Sequence, residues 1–175
     1  MSKLTARLLL NYWLPVALMV AVIVVESTDF FSANETGGLL RPVLNWISVT
    51  LAGHALSEER FLLIHAVLRK LGHFIGYALL CLVSFRALRG TARAERSLLA
   101  YDWEWFWSKR WASLAFASTV IVAASDEFHQ VFLPSRTGTF HDVVIDCAGG
   151  AMALLVTYAV SRAQHARSAR SLMKV

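Results

Sequence analysis

"RFLLIHAVLRKLGHFIGYALLCLVSFRAL", residues 60–88, decides what kind of protein this is. It holds about eight helical turns and contains no proline. Ser57 is placed to cap such a helix, with Glu58 and Glu59 in its first turn, where acids suit the helix dipole. A bilayer crossing takes roughly 20 mostly apolar residues, and residues 68–87 supply them. The stretch therefore predicts a membrane helix that begins outside the hydrocarbon and continues through it.

The rest of the chain agrees. It is 57% hydrophobic and 17% charged, against about 25% charged in soluble domains, so one small membrane domain over 1–175 is predicted. A net charge of +5 would suggest nucleic acid in a soluble chain. Here the basic residues follow the cytoplasmic bias of membrane proteins, and no basic surface interleaved with aromatics is visible, so nucleic acid is excluded. Cys81 and Cys147 fall inside apolar runs without metal-ligand spacing and read as small buried residues.

Three further spans are predicted, at 8–25, 111–131 and 141–161. The first follows Lys3 and Arg7 as a signal peptide would. Its length and the "ESTD" after it favour an uncleaved anchor. Of the 17 Lys and Arg, two lie in the N-terminal tail, six in the 86–110 loop and four in the C-terminal tail. That excess puts both termini and the 86–110 loop in the cytoplasm of a bacterial cytoplasmic membrane. Trp103, Trp105, Trp107 and Trp111 in or beside the loop read as an interfacial belt. The outer segment, 27–67, contains "GLLRPVLNWISVTLAG", with Pro42 suited to a helix start. It predicts a short amphipathic or re-entrant helix over the outer face of a four-transmembrane-helix, all-α bundle, whose 38–53 portion is a candidate lid.

Acidic residues contribute little to orientation, yet nine of the twelve fall on the outer half. "SDEFHQVFLPSRTGTFHDVVIDCAGG", 125–150, carries most of the anomaly. Lys70, His73 and Tyr77 share one helix face, continued by Cys81 and Ser84. Asp126 and Gln130 stand four apart, with Glu127 and His129 beside them. Adjacent carboxylates cost several kcal/mol if buried unpaired. Pro134–Gly138 forms a turn that delivers Arg136 as counter-ion or bidentate anion clamp. Asp142 and Asp146 stand four apart, and Gly149, Gly150 and Ala153 continue their side, where small residues let helices approach. With Glu26 closing the first span, all four outer helix ends offer polar groups to one pocket, as in helical bundles that house sites. A carboxylate of Asp126 or Glu127 is expected on Arg136 or Lys70. Solvated ends or helix-to-helix ion pairs would account for single members, less readily for all of them.

"KLGHFIGYALL" followed by residues 125–150 resembles the VanZ-like family of small bacterial membrane proteins, named for a teicoplanin-resistance protein. The likeness rests on Lys70, His73, Tyr77, Asp126, Glu127, Gln130, Arg136, Asp142 and the Asp146–Gly149 segment, and the Glu26-Ser27 end fits it. Family members often carry Asn where this chain has Asp146. The resemblance implies a four-helix membrane fold and a link to glycopeptide resistance, without a defined activity.

Three readings follow. The first is a protein that binds or handles an anionic envelope lipid or a cell-wall-precursor-like ligand through Lys70, Arg136 and the histidines. The second is a membrane hydrolase or transferase acting on a lipid-linked phosphate, with Asp126, Glu127, His129 and Asp142 as catalytic candidates. A divalent metal cofactor would be held among these, Asp146 and His73. "SRTGTFHDVVID" is similar to the third motif of type 2 phosphatidic acid phosphatases at Ser135, Arg136 and Asp146. However, Asp142 replaces the nucleophilic histidine, and Asn34 stands where the Lys before Arg41-Pro42 should be. The third reading is a bundle whose polar cluster only sets helix packing.

Overall fold

The computed structural model describes residues 3–95, 107–134, 136 and 138–172, and every regular element among them is helical. α1 (Lys3–Leu8) passes through a π-helical segment, Leu9–Trp13, into α2 (Leu14–Glu26). Pro15 explains the irregularity. It has no N–H to give the carbonyl four residues earlier, that of Asn11. Arg86 takes up that carbonyl at 2.7 Å and lays its guanidinium over the Tyr12 ring.

After a short 3-10 turn, Asp29–Phe31, α3 spans Ala33–Ala52. Pro42 does not start this helix; it lies inside it. Ser32 is the start, accepting a hydrogen bond from the Glu35 N–H at 3.5 Å, the Ser-x-x-Glu capping pattern. Gly53, in the left-handed region at φ 75°, ends it. α3 folds against the beginning of the next helix through an Arg41–Glu58 ion pair, Arg41 over the Phe61 ring, and Thr36 with His65 at 3.0 Å.

α4 (Glu58–Glu95), α5 (Lys109–Gln130) and α6 (Phe140–Leu172) form the centre. α4 begins where Ser57 predicts and continues beyond Leu88, so the first part of the expected 86–110 loop is helix. Its 38 residues make a rod of about 57 Å, far longer than the roughly 30 Å hydrocarbon layer. Trp103 and Trp105 lie outside the described residues. Trp107 is wedged between Phe85 and Tyr158 and Trp111 packs on the same core, so these two are packing residues.

Successive long helices run antiparallel. Trp13 bonds Thr91 at one end of the bundle, while Arg136 reaches the carbonyls of Glu26 and Thr28 at the other. Three helical stretches, Thr5–Glu26, Glu58–Ala92 and Phe140–Arg170, are long and apolar enough to cross a membrane. The packing is inverted relative to a soluble domain. Ala87, Ala112, Ala115, Ala123, Cys81 and Thr119 are buried, whereas Leu18, Val24, Ile121, Phe128, Leu155 and Val156 are exposed. Small residues inside and large apolar ones outside are what helix association in lipid selects.

Candidate functional site

Gly149 sets the geometry at the polar end of the bundle. A Cβ on it would fall 2.1 Å from the Phe74 carbonyl oxygen, so α4 and α6 approach here at backbone distance. This close crossing brings His73, beside Phe74, to Asp146, one turn before Gly149. His73 Nδ1 stands 3.5 Å from Asp146 Oδ1. Gly138 does the equivalent for the α5–α6 turn, since a Cβ there would meet the Glu127 carbonyl oxygen at 2.2 Å. The turn therefore passes close enough for the Thr139 N–H to donate to Glu127 Oε2 at 2.8 Å. The Glu127 carboxylate thereby sits at the N-terminus of α6, where the helix dipole favours an anion. Thr139 caps that helix. Its hydroxyl accepts from the Asp142 N–H at 3.2 Å and donates to Asp142 Oδ2 at 2.8 Å.

These elements enclose a cavity of about 500 Å³. Arg69, Lys70, Arg136, Glu127, Asp142 and Asp146 line it, together with His65, His73, Gln130 and Thr139. Lys70 Nζ donates to Asp142 Oδ1 at 2.7 Å. Tyr77 and Asp126 form a layer behind the wall, both buried, with the Tyr77 hydroxyl and Gln130 Nε2 each donating to Asp126 Oδ2 at 3.2 Å. Cys81 and Ser84 continue that buried stripe.

Most of the sequence-selected residues thus converge, but not all, and not with the expected pairings. His129 is exposed on the far face of α5 and takes no part in the cavity wall. The Glu26 carboxylate is also exposed; this residue contributes its backbone carbonyl instead. Lys70 pairs with Asp142, not with Asp126 or Glu127. Arg136, in the connection between α5 and α6, turns inward. It is 7% exposed and donates to the carbonyls of Glu26 and, at 2.7 Å, Thr28, satisfying acceptors left over at the end of α2. Burial first, and then the charge of Arg69 across the cavity, pull its proton affinity below the ordinary guanidinium value. A guanidinium holds its proton so strongly that the group stays cationic all the same.

Arg69, His65 and Thr139 also line the cavity, and none of them is singled out by the motifs of the sequence. Their signals were present: His65, Arg69, His73 and Tyr77 recur every four residues, one helix face, and Thr139-x-x-Asp142 is a capping pattern.

Two features are unbalanced. Among the described residues, no carboxylate lies within ion-pair distance of Arg69, and Arg136 Nε is buried without an acceptor. Both Asp146 oxygens are likewise buried and accept no regular hydrogen bond among the described residues, on a residue with no exposed surface.

The chain belongs to the VanZ/LLP1 family, whose model matches residues 12–161. Family and apolar helices together make it a membrane protein. No curated protein and no solved structure matches it.

Proposed function

We propose that this VanZ/LLP1 protein is a four-span protein of the bacterial cytoplasmic membrane, with cytoplasmic termini, that binds the anionic headgroup of an envelope lipid or cell-wall-precursor-like ligand. The outer-leaflet pocket is the binding site. One observation carries the reading: Arg69, Lys70 and Arg136 face one cavity, and Arg136 keeps a buried N–H without an acceptor. Two guanidiniums near each other repel. An anion between them relieves that repulsion and completes the missing hydrogen bond. A cluster that served packing alone would satisfy its own buried polar groups, because half-satisfied networks cost more than apolar contacts.

The membrane setting supports the same reading. The cavity opens at the helix ends that carry few basic residues, where an outer-leaflet headgroup sits while its tail lies along the apolar helix faces. α5 supports a fourth span, since Leu114, Ile121 and Phe128 point outward from it. A role linked to glycopeptide resistance fits such a ligand, because glycopeptides act on outer-leaflet cell-wall precursors.

The test is thermal unfolding of the full chain in detergent with short-chain phosphatidylglycerol or phosphatidylcholine. Phosphatidylglycerol is expected to raise Tm more. Arg69→Gln is expected to weaken that effect by on the order of tenfold in half-saturating concentration, the worth of one charge-assisted hydrogen bond. Equal response to both lipids, or an unaltered response in Arg69→Gln, contradicts the reading.

A further inference from the structure

We infer that His73, Glu127 and Asp146 form a binding site for one divalent transition cation of the zinc or manganese type at the floor of the cavity. One ligand atom from each residue lies within 4.8 Å of the others. The His73 Nδ1 to Asp146 Oδ1 distance is 3.5 Å. A tetrahedral centre with bonds of about 2.1 Å spaces its ligand atoms about 3.4 Å apart, so this edge already has the required length. Closing the triangle needs only small side-chain shifts.

Three independent features point to a cation rather than to an internal ion pair. Both Asp146 oxygens are fully buried on a cavity-lining residue and neither accepts a regular hydrogen bond among the described residues, His73 Nδ1 at 3.5 Å from Oδ1 being itself a candidate ligand. Glu127 gives one oxygen, Oε2, to the Thr139 N–H. That bond fixes the carboxylate's orientation while Oε1 stays free of it, as outer hydrogen bonds do for metal ligands. The charges also fit: two carboxylates and a neutral imidazole balance a dication. Asp126, the neighbouring acid, does not compete, because Tyr77 and Gln130 both donate to it. One nitrogen and two oxygens suit zinc or manganese better than magnesium or calcium, which prefer all-oxygen sites.

Three protein ligands leave a coordination position for a group in the cavity. Arg69, Lys70 and Arg136 stand on the walls around it. Resting on the anion-binding reading above, the ligand class narrows to a phosphate- or pyrophosphate-bearing headgroup, one oxygen on the metal and the others on the guanidiniums. Asp146 is central to this, because an asparagine there would remove both the charge and the anionic ligand atom.

The experiment is metal binding to untagged, full-length protein in detergent, stripped with chelator and then equilibrated with zinc chloride or manganese chloride. About one equivalent per chain is expected at micromolar free metal, with a rise in Tm. Asp146→Asn keeps the side-chain shape and removes a buried charge, so it folds, and it is expected to lose the metal and the Tm rise. His73→Gln is expected to do the same, while Arg69→Gln retains the metal. No binding of either ion at about 100 μM overturns the site. Binding unaltered in Asp146→Asn also overturns it, by placing the ion on other ligands. Lipid selectivity that depends on Arg69 without any metal leaves the anion reading standing and removes this one; metal binding without lipid selectivity does the reverse.

Discussion

At the scale of single residues, worth depends on burial more than on charge. Tyr77 and Gln130 share one oxygen of Asp126 in a buried layer. Tyr77→Phe is predicted to cost about 1–2 kcal/mol in detergent unfolding, the usual loss when a buried acceptor forfeits a donor. Lys70 is different. Its side chain is 52% exposed, so Lys70→Ala is predicted to change stability by less than about 1 kcal/mol while lowering retention of anionic lipid. Arg136→Ala is predicted to destabilise by on the order of 2 kcal/mol, because it uncovers the carbonyls that end α2; an unchanged Tm contradicts that capping role. The sequence disclosed Lys70, His73, Glu127, Asp142 and Asp146 because acids and histidines crowded at one membrane face have no explanation in insertion rules. It did not disclose what Arg136 holds. Backbone carbonyls more than a hundred residues away have no side-chain signature. Arg69 carries no motif of its own: its place on the cavity wall follows from the four-residue spacing His65-Arg69-His73 along α4.

At the scale of elements, the α4–α6 crossing is the feature on which the pocket depends. Gly149 admits the Phe74 carbonyl where any Cβ would collide with it. Gly149→Val is predicted to cost at least about 1–3 kcal/mol by overpacking and to separate His73 from Asp146. Loss of ligand binding should therefore accompany the lower Tm. Binding that survives in this variant contradicts the crossing's role. The long helices were legible from apolar length, and the close approach from the Gly149-Gly150-x-x-Ala153 pattern. The outer segment was less so. Pro42 reads as a helix start because proline lacks an N–H, but Ser32 with Glu35 provides a true cap nearly two turns before the apolar run. Pro42 sits inside α3 without ending it, leaving the Gly38 carbonyl without its helical donor.

At the scale of the whole molecule, the antiparallel order places the start of α1, the ends of α4 and α6 and the start of α5 at one end and the pocket at the other. A reporter active only in the cytoplasm is predicted to be active at the C-terminus, and a reporter active only outside to be silent there. The opposite result would turn the pocket toward the cytoplasm and remove the outer-leaflet ligand. The inverted packing, small within and large apolar without, presents acyl-chain-compatible faces right up to the cavity. The central claim is that this cavity holds an anionic headgroup. Native mass spectrometry of the gently solubilised, untagged protein tests it most directly. A retained anionic phospholipid or polyprenyl phosphate, lost in Arg69→Gln, is the result predicted. A bare polypeptide, or zwitterionic lipid held equally by both proteins, would contradict the claim and leave the polar cluster as a packing device.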